Sequence, residues 1–210
     1  MPILVAVVNA EDVATFEHCI AVGGVALFPT DTVYGLATEP ESKEGLQRLY
    51  RLKGRRPDKP AAVMFFDREL ALAALPDLPG PTAEAAERLL PGSVTLLLPN
   101  PTRRFALACG PTPDVLGLRV PELNGEMAAL ASVKWPVLQS SANVSDGPEA
   151  RRVHEVDDQI RGGVDMILDG GELPGTPSTV VDLTPYHEHG GYRIVRAGAV
   201  SGEAIEAALR

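Results

Sequence analysis

The chain has little cysteine, no long apolar run and no surplus of positive charge, and each shortage removes a class of protein. Cys19 and Cys109, the two cysteines in 210 residues, are too few and too far apart for a disulfide framework or a zinc pattern. Plain thiols are expected. The longest early apolar stretch, residues 3–8, is far too short for a membrane span and lacks the basic flank and cleavage site of a signal peptide. A cytoplasmic protein with no membrane contact is the expectation. Asn143-Val144-Ser145 fits a glycosylation acceptor but has no use without secretion. A net charge of −9 opposes a broad nucleic-acid footprint, which needs many Lys and Arg on one face. Neither a G-x-x-x-x-G-K-S/T loop nor a G-x-G-x-x-G run after a strand is present, so a bound nucleotide would have neither glycine cradle. Repeats and low-complexity segments are also lacking.

What is present is an ordinary globular composition, 45% hydrophobic and 22% charged, long enough to bury a core as one domain over residues 1–210. Short apolar runs alternate with helical patterns, which predicts an α/β fold whose sheet is covered by helices. Strands are expected at 4–8, 25–28, 61–66, 94–98, 116–120, 137–139, 166–168, 179–182 and 192–195. Helical periodicity marks 12–22, 42–52, 82–90, 124–132, 153–161 and 201–209. Nineteen prolines gather in the connections, where they restrict dihedrals and favour preformed loops.

One window runs against the overall charge. Residues 48–59 hold Arg48, Arg51, Lys53, Arg55, Arg56 and Lys59 against Asp58 alone, so the window is +5 and the remainder −14. A cationic cluster in an acidic chain points to an anion. The second helix delivers Lys53 to a loop, where Arg supplies a fork and Lys a point charge. Two other segments follow apolar strands. The segment Phe28 to Leu36, with Thr30-Asp31-Thr32, offers either ligand groups or a capped turn, and Gln139 to Gly147, with Ser140-Ser141-Ala142-Asn143, offers either small donors beside a glycine or a Ser/Asn-rich loop. Arg119, inside an apolar strand, needs either a protein carboxylate or a bound one. His187 and His189 flank Glu188, two imidazoles without a third ligand, which makes a weak metal site.

Seven motifs stand in order: Pro29-Thr30-Asp31-Thr32-Val33-Tyr34-Gly35-Leu36, Lys53-Gly54-Arg55, Pro91-Gly92-Ser93-Val94-Thr95, Arg119-Val120-Pro121, Ser141-Ala142-Asn143-x-Ser145, Ser178-Thr179-Val180-Val181-Asp182 and Arg196-x-Gly198. Together they resemble the YrdC/TsaC family. The resemblance implies a twisted open mixed sheet with a concave basic cavity. It also implies synthesis of threonylcarbamoyl-AMP and pyrophosphate from L-threonine, bicarbonate and ATP, the intermediate serving modification of adenosine 37 in tRNA. On that resemblance Lys53 and Arg55 are catalytic and touch the ATP phosphates, with Lys59, Asn143 and Arg196 also on the nucleotide. Thr32, Arg119, Ser141 and Ser178 surround threonine, so that the substrate carboxylate partners Arg119. Mg2+ is held mainly by the phosphates and not by protein side chains. Contact with tRNA or the transfer machinery is transient.

This chain departs from the family pattern at three places and matches one of two usual residues at a further, variable one. Met64 stands where many relatives have His, Val115 where some have Thr, and Arg56 replaces a Pro. Lys59 is the variable position. The chain ends soon after Arg196-x-Gly198 and so resembles the short single-domain form. Other expectations are an RNA-binding or ribosome-associated module, which predicts salt-dependent RNA affinity without ATP turnover, a carbamoyl-transfer relative, or a paralogue without synthase activity.

Overall fold

The computed structural model describes residues 3–5 and 9–210. Elements run β1 (Ile3–Val5), α1 (Ala10–Ala21), β2 (Ala26–Phe28), β3 (Gly35–Thr38), α2 (Lys43–Lys53), β4 (Ala62–Met64), α3 (Arg68–Ala73), α4 (Gly80–Leu89), β5 (Val94–Pro99), α5 (Ala106–Cys109) and β6 (Val115–Arg119). A 3-10 segment (Gly125–Ser132) precedes β7 (Val137–Ser141), and another (Val153–Glu155) precedes α6 (Asp158–Gly163). Then come β8 (Met166–Leu168), β9 (Thr179–Asp182), α7 (Tyr186–His189), β10 (Arg193–Arg196) and α8 (Gly202–Leu209). The ten described strands form one mixed sheet in the order β1-β8-β2-β3-β7-β4-β6-β5-β9-β10. Among the described residues no helix is long and apolar enough to cross a membrane.

Several expectations needed correction. The strand expected at 4–8 is seen at Ile3–Val5, and residues 6–8 lie outside the described residues. β3 was not anticipated, since Gly35 and Ala37 carry little strand signal; it pairs antiparallel with β2 and β7. The helix expected at 153–161 is broken, because Asp157 caps a fresh helix by accepting from Gln159 N at 2.8 Å. The segment expected as a helix at 124–132 is 3-10, with Gly125 at φ +59 at its start. α3, α5 and α7 were not anticipated; each is six residues or fewer, too short for periodicity to register.

Paired residues in neighbouring strands share a face, so the register divides the sheet's side chains into two sets. One set, including Leu27, Leu36, Val63, Leu96, Leu118, Leu138 and Val181, is buried in the main core. The opposite face behaves differently along its length. On β8, β2 and β3 its residues Met166, Leu168, Ala26, Phe28 and Ala37 form a second core with Val13, Phe16 and Ile20 of α1 and with Leu130. That cover stops at β7 and β4. Val137 and its partner Met64 are buried under it, while two residues along, Gln139 and its partner Ala62 line a cavity.

Candidate functional site

The cavity occupies the bare half of that face and measures about 370 Å³, within the range of small-molecule sites. Its floor is small: Ala62 on β4 pairs with Gly117 on β6, which pairs with Leu97 on β5. Glycine at 117 leaves the middle of the floor without a side chain. Around the floor stand Arg55 from the loop after α2, Arg119 from the end of β6, Arg196 from β10, and the polar groups of Gln139, Ser141 and Ser178.

Arg119 is almost fully buried, and its partner is a protein carboxylate. Nη2 donates to Asp31 Oδ1 at 2.8 Å, with the two side chains 4% and 5% exposed, and lies 3.2 Å from Thr32 Oγ1. Burial pushes the Arg119 pKa down and Asp31 opposes that push. Of the two partners left open by the sequence, a protein carboxylate and a bound one, the structure shows the first. A charged strand residue cannot lie under protein unpaired, and Asp31 is brought to it by a tight turn. That turn is capped by Thr30, whose hydroxyl donates to Val33 O at 2.7 Å. Thr32 is fully buried in the same turn and does not line the cavity.

Lys53 is also placed differently from the loop-borne cation expected. It is the last residue of α2, 1% exposed, and Gly54 at φ +57 turns the chain away immediately after it. Its ammonium faces the backbone after β7, donating to Ser141 O, to Asn143 O at 2.7 Å and to Asn143 Oδ1 at 3.1 Å. Three acceptors use its three protons. Burial, helped by the nearby Arg55 charge, lowers its pKa to about 8. The loop it holds is fixed elsewhere too: Ser145 N donates to Lys53 O at 2.9 Å, Asn143 Nδ2 to Gly147 O at 2.6 Å, and Tyr34 N to Ala150 O at 3.0 Å. Asn143 thus works inside the loop, outside the cavity lining.

The basic window is dispersed. Arg48 pairs with Asp165 at 2.6 Å, Arg56 with Asp58 at 2.5 Å and Lys59 with Asp146 at 3.3 Å. Arg55 is the member that lines the cavity; Nη2 donates to Pro60 O at 2.7 Å and the guanidinium lies over the Tyr50 ring at 5.7 Å. The other cavity cations come from distant strands. Arg196 donates to Ser178 O at 2.7 Å, and Ser178 Oγ lies 2.7 Å from Thr95 Oγ1. This close approach explains Gly198, where a Cβ would sit 2.3 Å from Pro177 O.

Three buried polar atoms around this cavity have no hydrogen-bond partner: Arg55 Nε, Arg119 Nε and Glu149 Oε2. Such atoms are uncommon in folded chains, and a ligand that completes them recovers the cost of their burial. Glu149 was not anticipated. Thr95 and Gln139 stand in segments that the sequence singles out, and the register that places β5 and β7 beside β6 and β4 shows that they line the same cavity. Met64, which stands where many relatives have His, is fully buried in one core with Phe28 and Phe66, and Val115 does line the cavity.

A family model for Sua5/YciO/YrdC, described as telomere recombination, matches residues 18–198. The chain belongs to the Sua5/YciO/YrdC family. A threonylcarbamoyl-AMP synthase of Pyrococcus abyssi (strain GE5 / Orsay) is 30% identical over 88% of this chain, which spans 53% of that relative, little more than half its length. A protein of the same name from Pseudomonas fluorescens (strain Pf0-1) is 30% identical over 84% of this chain and 95% of its own. The solved structure of P. abyssi Sua5 complexed with L-threonine has a TM-score of 0.80 and 28% identity, covering 99% of this chain and 60% of that one.

Proposed function

We propose that this Sua5/YciO/YrdC chain makes threonylcarbamoyl-AMP and pyrophosphate from L-threonine, bicarbonate and ATP. The observation that carries the reading is the cavity itself: three arginines from three separate segments, two of them with a buried N–H left unpaired. The name and the threonine complex of the relatives support it.

The chemistry asks for what the cavity offers. Threonine's amine takes up carbon dioxide to form an N-carboxylate, which attacks the α-phosphorus of ATP while pyrophosphate leaves. Both partners are anions, so positive charge matters more than proton shuttling. Arg55 and Arg196 would take the phosphates; Arg119, Ser141 and Ser178 would take threonine. Thr32 would act by holding Arg119 in place. Lys53 and Asn143 would act through the loop they brace, which keeps Ser141 at the cavity wall. Lys59 would contribute only long-range charge, since it pairs outside the cavity.

Magnesium would enter on the nucleotide. Among the described residues no group of three His, Cys, Asp or Glu could hold a metal, a donor set that suits an ion kept by phosphate oxygens and water. It would supply charge neutralisation on the triphosphate. The product would pass to a tRNA-modifying partner. The RNA-binding reading is weakened because the basic window offers no continuous face: Arg48, Arg56 and Lys59 pair with separate acids and Lys53 is buried.

The test is pyrophosphate release from MgATP and bicarbonate with and without L-threonine. Threonine-dependent release is expected. Release that ignores threonine, or salt-sensitive RNA binding without turnover, overturns the reading.

A further inference from the structure

Glu149 is the one acid among the residues that line the cavity, which it shares with Arg55, Arg119 and Arg196. No described ion pair includes it, and its Oε2 is buried without a donor. Its charge still reaches Arg119 and Lys53, where it opposes the downward push of burial on their pKa values. The carboxylate is not on a free loop tip. Gly147 O, two residues before it, accepts from Asn143 Nδ2 at 2.6 Å, and Ala150 O, directly after it, accepts from Tyr34 N at 3.0 Å. Pro148 restricts the backbone between.

Arg119 and Glu149, opposite in charge, thus line the same small cavity without pairing with each other, and each keeps one unpaired polar atom at its edge. Arg119 Nε is a charged donor without an acceptor, and Glu149 Oε2 a carboxylate oxygen without a donor. An anionic ligand such as a triphosphate completes the first and is repelled by the second. A zwitterionic amino acid completes both, through its α-carboxylate and α-ammonium. We infer that Glu149 receives the α-ammonium of the amino-acid substrate while Arg119 receives its carboxylate. This rests on the threonine-using reading above, and it gives the site a means of rejecting acids that lack the amine.

Calorimetric titration in chelator-treated, metal-free buffer tests it. L-threonine and the matching 2,3-dihydroxybutanoate, which carries hydroxyl in place of amine, are compared on the full chain and on Glu149→Gln, with MgATP titrated separately. Removing one partner of a buried charge pair should weaken L-threonine about 30-fold or more. Affinity for the dihydroxy acid and for MgATP should hold, and Glu149→Asp should recover part of the loss. If Glu149→Gln does not fold, the wild-type chain alone decides, by preferring L-threonine to the dihydroxy acid by a similar factor or failing to. Equal L-threonine affinity in wild type and Glu149→Gln overturns the inference and leaves the synthase reading intact, as does a loss confined to MgATP. A wild-type chain that binds no threonine overturns both.

Discussion

One face of one sheet carries two kinds of surface, and the change between them takes a single two-residue step. On β4, Met64 lies under α1 in an aromatic core, while Ala62, two residues earlier on the same face, lines the cavity. On β7 the same step separates Val137 from Gln139. The backbone is continuous and hydrogen-bonded throughout, so the site is made by withholding a cover from a finished sheet. The covered half needs bulk and shape. The bare half needs small side chains on its floor and charge at its rim, and accepts unpaired polar atoms that a core would not. Substitutions in the two halves should therefore fail in different ways.

The sharpest break comes at the seam. Arg119→Ala leaves Asp31 buried without its cation and should cost about 3–5 kcal/mol in denaturant unfolding, with loss of threonine-dependent turnover. The paired change Arg119→Met with Asp31→Leu should recover most of the stability and none of the activity. If activity returned as well, Arg119 would belong to the core and not to the site. Met64→Ala probes the other side of the seam: about 2–5 kcal/mol of stability, with turnover per folded molecule nearly kept.

Lys53 separates direct contact from bracing. Lys53→Met should lower turnover by about 10²-fold through displacement of the loop that carries Ser141, and faster amide exchange over residues 141–147 should accompany it. Unchanged exchange with the same loss would return Lys53 to direct phosphate contact. Its titration adds a second readout. The folded pKa, about 8, lies below the ordinary lysine value of 10.5. Between those values the unfolded chain binds more protons, so Lys53's contribution to stability should rise with pH from about 8 to 10.5 and be flat below that window. Wild type minus Lys53→Met, followed by denaturant midpoint against pH, shows the slope or denies it.

Gly117→Leu should raise a side chain from the cavity floor and weaken substrate binding about tenfold or more, with a small fall in melting temperature because its Cβ would sit 3.3 Å from Ala61 O while the rest of the side chain enters the cavity. A large fall in melting temperature would show that the floor is packed after all. The α/β class and most strands were legible in the sequence, because strands buried on one or both faces read as runs such as Leu96, Leu97 and Leu98. β3 was not, since its burial is decided by β2 and β7 on either side of it. At the site, Arg55, Arg119, Ser141, Ser178 and Arg196 were found as lining residues through the motif order. What sequence could not show was orientation: whether Lys53 points into the cavity or behind its wall depends on where Gly54 turns the chain, and Arg119's choice of Asp31 depends on a pairing across 88 positions.

The smallest effect belongs to the feature that stands out most in the sequence. Arg56 sits at the centre of the basic window, yet its guanidinium pairs with Asp58 two residues away and both side chains are largely in water. Such pairs are screened and contribute little, and the remaining cavity cations do not depend on it. Arg56→Ala should leave turnover, threonine affinity and melting temperature unchanged, measured beside Arg55→Ala, which removes a rim cation with a buried unpaired N–H and should lower turnover by about 10²-fold. If the two variants fell together, the window would act as one electrostatic field; if Arg55→Ala falls alone, the site's charge is set residue by residue, by which guanidinium the bare half of the sheet admits.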